Sequence, residues 1–536
     1  MASQIKLVQT IAGGTTRSQI VKVGLADSLN MYPETQHPTD HSTQLLVRSI
    51  CGTVGFAGRL DGDCRGLYRV SRGLDGNPKL YGVFGNVLYL FMDDGTAYEI
   101  QRIDTATSEC RFVETGGEGS VNPRLCLVDG VNLYTVDTTL SVAEQRHDCR
   151  TIELPTRIND DFTAIQPTHI AYLFGYLVIN DKGTDAFYTS IQYPGETLDT
   201  NNQRDWDWFR LAKTNGKGFI TYSEWSTDNT TALISNGSRL YTFGPRSWQM
   251  FSYNNDKNLP FTSPDNAAGN IGIKAPNSLA MLGQTVLFLG SSDVGENGVF
   301  MMSGDSIERV SSSDIEREFS LMSNTEQAYS SIWQEHRHTF YSITFEANKM
   351  TYVYDLGEKS WHRRASYDEK NNLTFWRYRH ATFAYGKTMV SCGSDLCYMD
   401  EHTFEEYNHR PILKLRRGGC VTSNGCPFYV DCIELVCNNG QHTLDLFNLM
   451  DGQPKTPNDG QRDINPRVAI RYSWDGAEFS DYEDVFLGKQ GAYDWSTMLW
   501  HLGLGKYFTL EISTTERIPF CIENLKVEFS PTSNFI

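Results

Sequence analysis

A chain of 536 residues exceeds one ordinary hydrophobic core, so it suits either about two to four domains or one long repeat array. Aromatic residues make up 12% of it and glycine numbers 45, a mixture that favours many short strands and tight turns over disorder. A formal net charge of −18 argues against general affinity for a phosphate backbone or an anionic membrane surface.

The start, MASQIKLVQT, runs into Ala12, Gly13, Gly14 and polar residues and offers no signal-peptide core. No later stretch reaches the roughly 18–20 apolar residues of a membrane span. Maturation in a cytoplasm is therefore expected, with the 12 cysteines as thiols. Residues 1–59 read as an N-terminal arm, rich in turn formers between Glu34 and His41, that contributes to the first repeat.

From there a strand–turn–strand unit recurs about every 45–60 residues. Its instances are 80–100, 124–137, 169–190, 231–253, 278–310, 338–366 and 380–400, with turns at Gly85-Asn86, Asp129-Gly130, Gly175, Asn236-Gly237 and Gly283. A unit of three or four strands cannot bury both faces alone, and radial stacking solves this. Residues 60–407 are thus expected to form an all-β propeller of six or seven blades; a series of unrelated β-sandwiches is the alternative. The segment 314–336 is the best helix candidate, a connector between blades. Composition shifts near Arg410. Segments 410–417, 427–437, 467–479, 497–503, 507–513 and 522–530 read as strands of a C-terminal β-sandwich, 408–536, interrupted by an Asp-, Asn-, Gly- and Pro-rich loop at 441–466.

Signatures of catalysis are missing: the chain has neither a phosphate-cradling Gly-rich loop ending in Lys-Ser/Thr nor a nucleophile elbow. Cys420, Cys426, Cys432 and Cys437 are spaced too widely and irregularly for a zinc knuckle, and Cys432 and Cys437 bracket a strand. His336 and His338 lack a helical Glu-x-x-His partner. Ser473-Trp474-Asp475-Gly476 resembles the Asp-box turn of sialidases, yet Asp-Gly between two strands is equally a hairpin turn. The basic residues Arg363, Arg364, Lys414, Arg416 and Arg417 read as solvated or paired rather than as a nucleic-acid patch. Trp206 and Trp208 would suit either sugar stacking or pinning a blade edge. No enzyme, metal or cofactor is expected. Tyr493, Trp495 and Trp500 form an aromatic face beyond what a propeller needs, and are the candidates for a subunit interface.

In order along the chain, several segments resemble the packaged-DNA stabilisation proteins, or tail hubs, of short-tailed bacteriophages. Asn30-Met31-Tyr32-Pro33-Glu34 is similar to the family's Asn-x-Tyr-Pro-Glu segment, and Arg65-Gly66-Leu67-Tyr68 and Gly85-Asn86-Val87-Leu88-Tyr89 to its first-blade hairpins. LYTFGPRSWQMF (240–251), SWHRRAS (360–366) and the stretch 471–513 resemble its middle blade, late blade and C-terminal sandwich. The chain departs from the family in Cys51-Gly52-Thr53-Val54-Gly55, where a Pro-Gly pair is common, and in Trp500-His501-Leu502-Gly503, where an Arg-rich strand is common. The resemblance implies a structural protein of the virion tail, assembled in the host cytoplasm as a ring of identical subunits, sixfold in the family. Such a hub sits beneath the portal and adaptor ring, closes the channel, retains packaged DNA without sequence-specific contact, and anchors a tail needle or plug and fibres or spikes. A glycan- or receptor-binding tail propeller is the alternative, with a glycosidase behind it.

Overall fold

The computed structural model describes residues 4–532 apart from 8–10, 12–13, 18–24, 37–43, 117–122, 158–162, 196–204, 216–218, 224, 227, 266, 293–296, 305, 424–425 and 441–464. Most of the 441–466 loop expected from composition lies outside the described residues, as does His37–His41 of the polar arm.

Each of the seven repeated units becomes part of an antiparallel sheet of four main strands. The first comprises Cys64–Val70, Lys79–Phe84, Val87–Phe91 and Ala97–Arg102; the second, Arg111–Glu114, Arg124–Val128, Leu133–Asp137 and Arg150–Ile152. The innermost strands of the others are Ile170–Leu173, Ala232–Asn236, Ala280–Leu282, Tyr329–Glu335 and Ala381–Ala384. Central strands such as Lys79–Phe84 and Val87–Phe91 are buried along their whole length, since a blade is covered on both faces. Their sequences are accordingly near-continuous apolar runs. Gly85, Gly175, Gly237 and Gly283 turn the hairpins at positive φ.

Apolar cores lie between successive blades and carry the radial packing around to its start. Tyr81, Leu90 and Ile100 of the first sheet meet Leu125 and Val136 of the second. On the other side, Leu80, Phe84 and Phe91 of the first sheet meet Ala384, Met389 and Leu396 of the seventh. Seven blades therefore close on one another. Closure of the last sheet comes from the opposite end of the chain: Gly52–Ala57 pairs antiparallel with Asp395–Asp400. The arm thus completes the seventh blade rather than the first, its strand Gly52–Ala57 lying at the outer edge of the last sheet.

The sandwich also borrows from the arm. One of its sheets runs Met31–Gln36, Gln44–Ser49, Cys521–Pro531, Phe428–Cys437, Thr497–Gly505, with Gln4–Leu7 also against Cys521–Pro531. The other contains Lys414–Thr422, Tyr507–Thr514, Arg467–Ser473 and Glu483–Phe486. Met31 and Val47 share their core with Phe428, Ile433, Phe508 and Leu525. The strands of 408–536 therefore do not form the sandwich alone. Leu25–Leu29 wedges between Ser360–Tyr367 of the sixth blade and Lys414–Thr422, fusing blade and sandwich sheet into eleven continuous strands.

The helix expected over 314–336 is shorter. Ser313–Ser320 is helical, a 3-10 turn follows at Thr325–Gln327, and Tyr329–Glu335 is a strand. Burial in that strand alternates, with Tyr329, Ser331, Trp333 and Glu335 inward, and this two-residue period overrides helical propensity.

Candidate functional site

Two regions stand out: the axis of the propeller and the rim of the sandwich. The innermost strands of all seven blades line the axis, which is an hourglass. One cavity, of about 350 Å³, and another, of about 540 Å³, share the lining residues Glu109, His169, Asn277 and Tyr329 at the waist between them. These residues sit just before or at the first position of inner strands, where the chain enters the channel.

Charged side chains cross the waist. Arg379, beside the seventh blade, donates from Nε to Oε1 of Glu109 at 2.9 Å, and His380 Nε2 lies 3.4 Å from Oε2. Arg111 of the second blade reaches the fifth, donating from Nη2 to the Pro276 carbonyl at 3.0 Å and to Asn277 Oδ1 at 3.1 Å. Burial pushes the Glu109 carboxyl up, but His380, Arg379 and Arg111 outweigh it and hold the group below its ordinary value, hence ionised. Burial also lowers His380. The axis is therefore bridged by struts rather than open. None of these residues was singled out in the sequence. The available signal is positional: polar residues such as Glu109, His169, Asn277 and His380 lie within three positions before the inner strands of several blades, visible only once the units are superposed.

The three predicted interface residues are all exposed on the sandwich: Tyr493 by 62%, Trp495 by 42% and Trp500 by 55%. Trp495 is held in place, its Nε1 donating to the Phe486 carbonyl at 2.8 Å. Trp500 stands on Thr497–Gly505, the edge strand of its sheet among the described residues, opposite Cys432 at a bulge; Leu504 and its cross-strand neighbour Tyr429 are exposed as well. No ring contact joins the three among the described residues, so they mark one region of the sandwich rather than one cluster.

Other candidates take structural places. Trp208 is fully buried and stacks on Trp206, whose ring lies 3.8 Å from the Arg150 guanidinium, so this pair pins the second and third blades and offers no sugar platform. Asp475 Oδ1 accepts from the backbone N–H of Ala477 and Glu478, and Trp474 packs on Phe428 and Phe508. Ser473–Gly476 is a turn-forming element. His336 and Arg337 form the two-residue turn between Tyr329–Glu335 and His338–Phe345, both at positive φ. His336 Nδ1 is 3.2 Å from the Tyr32 hydroxyl, and His338 Nδ1 is 2.7 Å from Asp355 Oδ2. Arg363 pairs with Asp27, Arg364 with Glu335, and Arg417 with Glu511. Cys432 and Cys437 are buried in one strand, and no group of three or more His, Cys, Asp or Glu converges among the described residues.

The class the fold defines is an all-β propeller of seven blades, with charged side chains across its axis and a sandwich appended to it. The chain matches the family described as bacteriophage P22 Gp10, beta-propeller, over residues 28–403, and it belongs to that family of structural phage proteins. No curated protein matches it in sequence. Among solved structures it resembles the extracellular domain of a one-component system from B. thetaiotaomicron, at 11% identity and TM-score 0.40 over 91% of this chain and 62% of that one. It also resembles Chaetomium thermophilum Polycomb Repressive Complex 2, at 9% identity and TM-score 0.37 over 66% of this chain and 98% of that one. The chain spans less than two thirds of the first of these, and no argument rests on either.

Proposed function

We propose that this protein is a tail hub of the virion, repeated in a ring of identical subunits beneath the portal and adaptor ring, where it retains packaged DNA and anchors a needle or fibres. The observation that carries this reading, beside family membership, is the bridged axis. With Arg111 and Arg379 spanning the waist, no nucleic-acid strand threads a single propeller, so any DNA passage lies between subunits and the propellers are its walls. A net charge of −18 suits such a wall, because a repulsive surface lets a polyanion move without sticking. The exposed sandwich aromatics supply a second patch of the kind that a closed ring of heterologous contacts needs.

Loss of the chain tests the reading. Phage particles assembled without it are expected to package DNA and then release it, and electron microscopy of complete virions should find several copies encircling the channel below the portal. Particles that lack the chain yet keep their genomes, or a location in the head shell, would overturn the proposal.

A further inference from the structure

Among the described residues, both hydrogen bonds of the Arg111 side chain end on neutral oxygens, those of Pro276 and Asn277. Glu109, the nearest carboxylate in the channel, has its Oε1 taken by Arg379 and its Oε2 beside His380. Among the described residues, no carboxylate stands within ion-pair distance of Arg111. Glu109 acts on Arg111 from a distance, but the guanidinium lacks the close carboxylate that a buried charge normally has.

Next to it is a second unmet group. His169 is 2% exposed and lines both cavities, and its Nε2 makes no hydrogen bond of good geometry, although the Pro276 carbonyl lies close enough to act on the ring. The ring's other nitrogen, Nδ1, lies 3.1 Å from the Thr168 hydroxyl. With that hydroxyl donating to Nδ1, Nε2 carries the ring proton and is a donor. Ser331, 7% exposed and lining the 350 Å³ cavity, also has an unpartnered hydroxyl. Three groups able to donate therefore line one cavity, from the second, third and sixth blades.

We infer that the waist of the propeller channel binds a small oxyanion, a carboxylate or a phosphate, held by the Arg111 guanidinium with His169 Nε2 and Ser331 Oγ as further donors. The planar fork of arginine matches both anion classes. Burial and the nearby Arg111 charge, against the opposing pull of the Pro276 carbonyl, hold His169 well below its ordinary value, so the ring is neutral near pH 7. Such an ion would lock three blades to one another across the axis. The inference stands apart from the tail-hub reading, since it concerns one isolated subunit.

Calorimetry on the full-length protein with sodium phosphate, with sodium acetate and with sodium chloride at matched ionic strength tests it. Saturable binding of one phosphate or one acetate per chain is expected, and which of the two saturates identifies the anion class. Arg111→Gln should weaken that binding at least tenfold. Arg111→Lys, which keeps the charge, and His169→Phe, which removes the donor, are read alongside it, so that a misfolded Arg111→Gln does not decide the question; His169→Phe should also weaken binding at least tenfold. A response no different from that to chloride, or undiminished affinity in every variant that folds, would overturn the site.

Discussion

Asn30 is fully buried at φ 53°, and its side chain donates to the Ala365 and Leu413 carbonyls, both at 2.9 Å, while Oδ1 accepts from the Ala365 N–H at 3.0 Å. Three backbone groups of the blade–sandwich seam thus depend on one amide, and asparagine is also among the few residues that tolerate the left-handed region. Asn30→Ala should lower stability by about 2–4 kcal/mol, read as a lower urea midpoint at unchanged slope. Glu406 makes a different prediction. It is buried against the Ser366 hydroxyl at 2.6 Å, and burial raises its carboxyl to about 7, against the opposing effects of Ser366, Arg377 and Arg410. Between its ordinary range and pH 7 the folded state then holds a proton that the unfolded state has released. Folding stability should therefore fall as pH rises from about 4.5 to 7, by up to roughly 3 kcal/mol. In Glu406→Gln, thermal unfolding across that window should lose this slope; a slope identical to that of the unaltered protein would remove Glu406 as its source.

Strands and turns differ in how plainly they were written. The hairpins of the first five blades were readable because glycine turns at Gly85-Asn86, Asp129-Gly130, Gly175, Asn236-Gly237 and Gly283 punctuate long apolar runs, and the structure places one sheet on each. The sixth-blade turn was not, since His336 and Arg337 adopt a conformation usually left to Gly and Asn. Tyr329–Glu335 hid inside a helical-looking segment because its small alternation of serine and aromatic residues is weak until both faces are seen packed. Channel residues escaped notice for another reason: Glu109, His169 and Arg379 are adjacent only through the circular arrangement, and no local pattern marks them. By contrast the exposed sandwich aromatics were visible as a surplus. Trp500→Ser on the edge strand should change stability by less than about 0.5 kcal/mol, as for other exposed positions. If the edge is a subunit contact, the same variant should enter particles at a clearly reduced level, scored by gel analysis of purified virions.

Across the whole molecule, propeller and sandwich are two cores but not two independent segments. Removing residues 408–536 would strip Leu25–Leu29 of its partner Lys414–Thr422 and Gln44–Ser49 of its partner Cys521–Pro531, and would expose the core that Met31 and Val47 share with the sandwich. Such a truncation should give protein that aggregates or is cut rapidly by protease throughout the arm. Deleting residues 1–51 should, in turn, loosen the sandwich and the contact between the sixth and seventh blades, where Tyr32 and Ile50 pack on Phe340 and Trp376, while the first four blades keep their packing; limited proteolysis would separate the two regions.

The pairing of Gly52–Ala57 with Asp395–Asp400 also sets a clock. The ribosome makes the two partners roughly 340 residues apart, and at about 5–20 residues per second the early strand waits on the order of 20–70 seconds for its mate. Gln44–Ser49 waits longer still, for Cys521–Pro531 near the end of synthesis. Throughout that interval the nascent chain carries unpaired strand edges, which are prone to join the wrong neighbour. The same delay makes completeness self-checking: a chain released early lacks the segment that closes its first residues into a sheet, and is left visible to proteases.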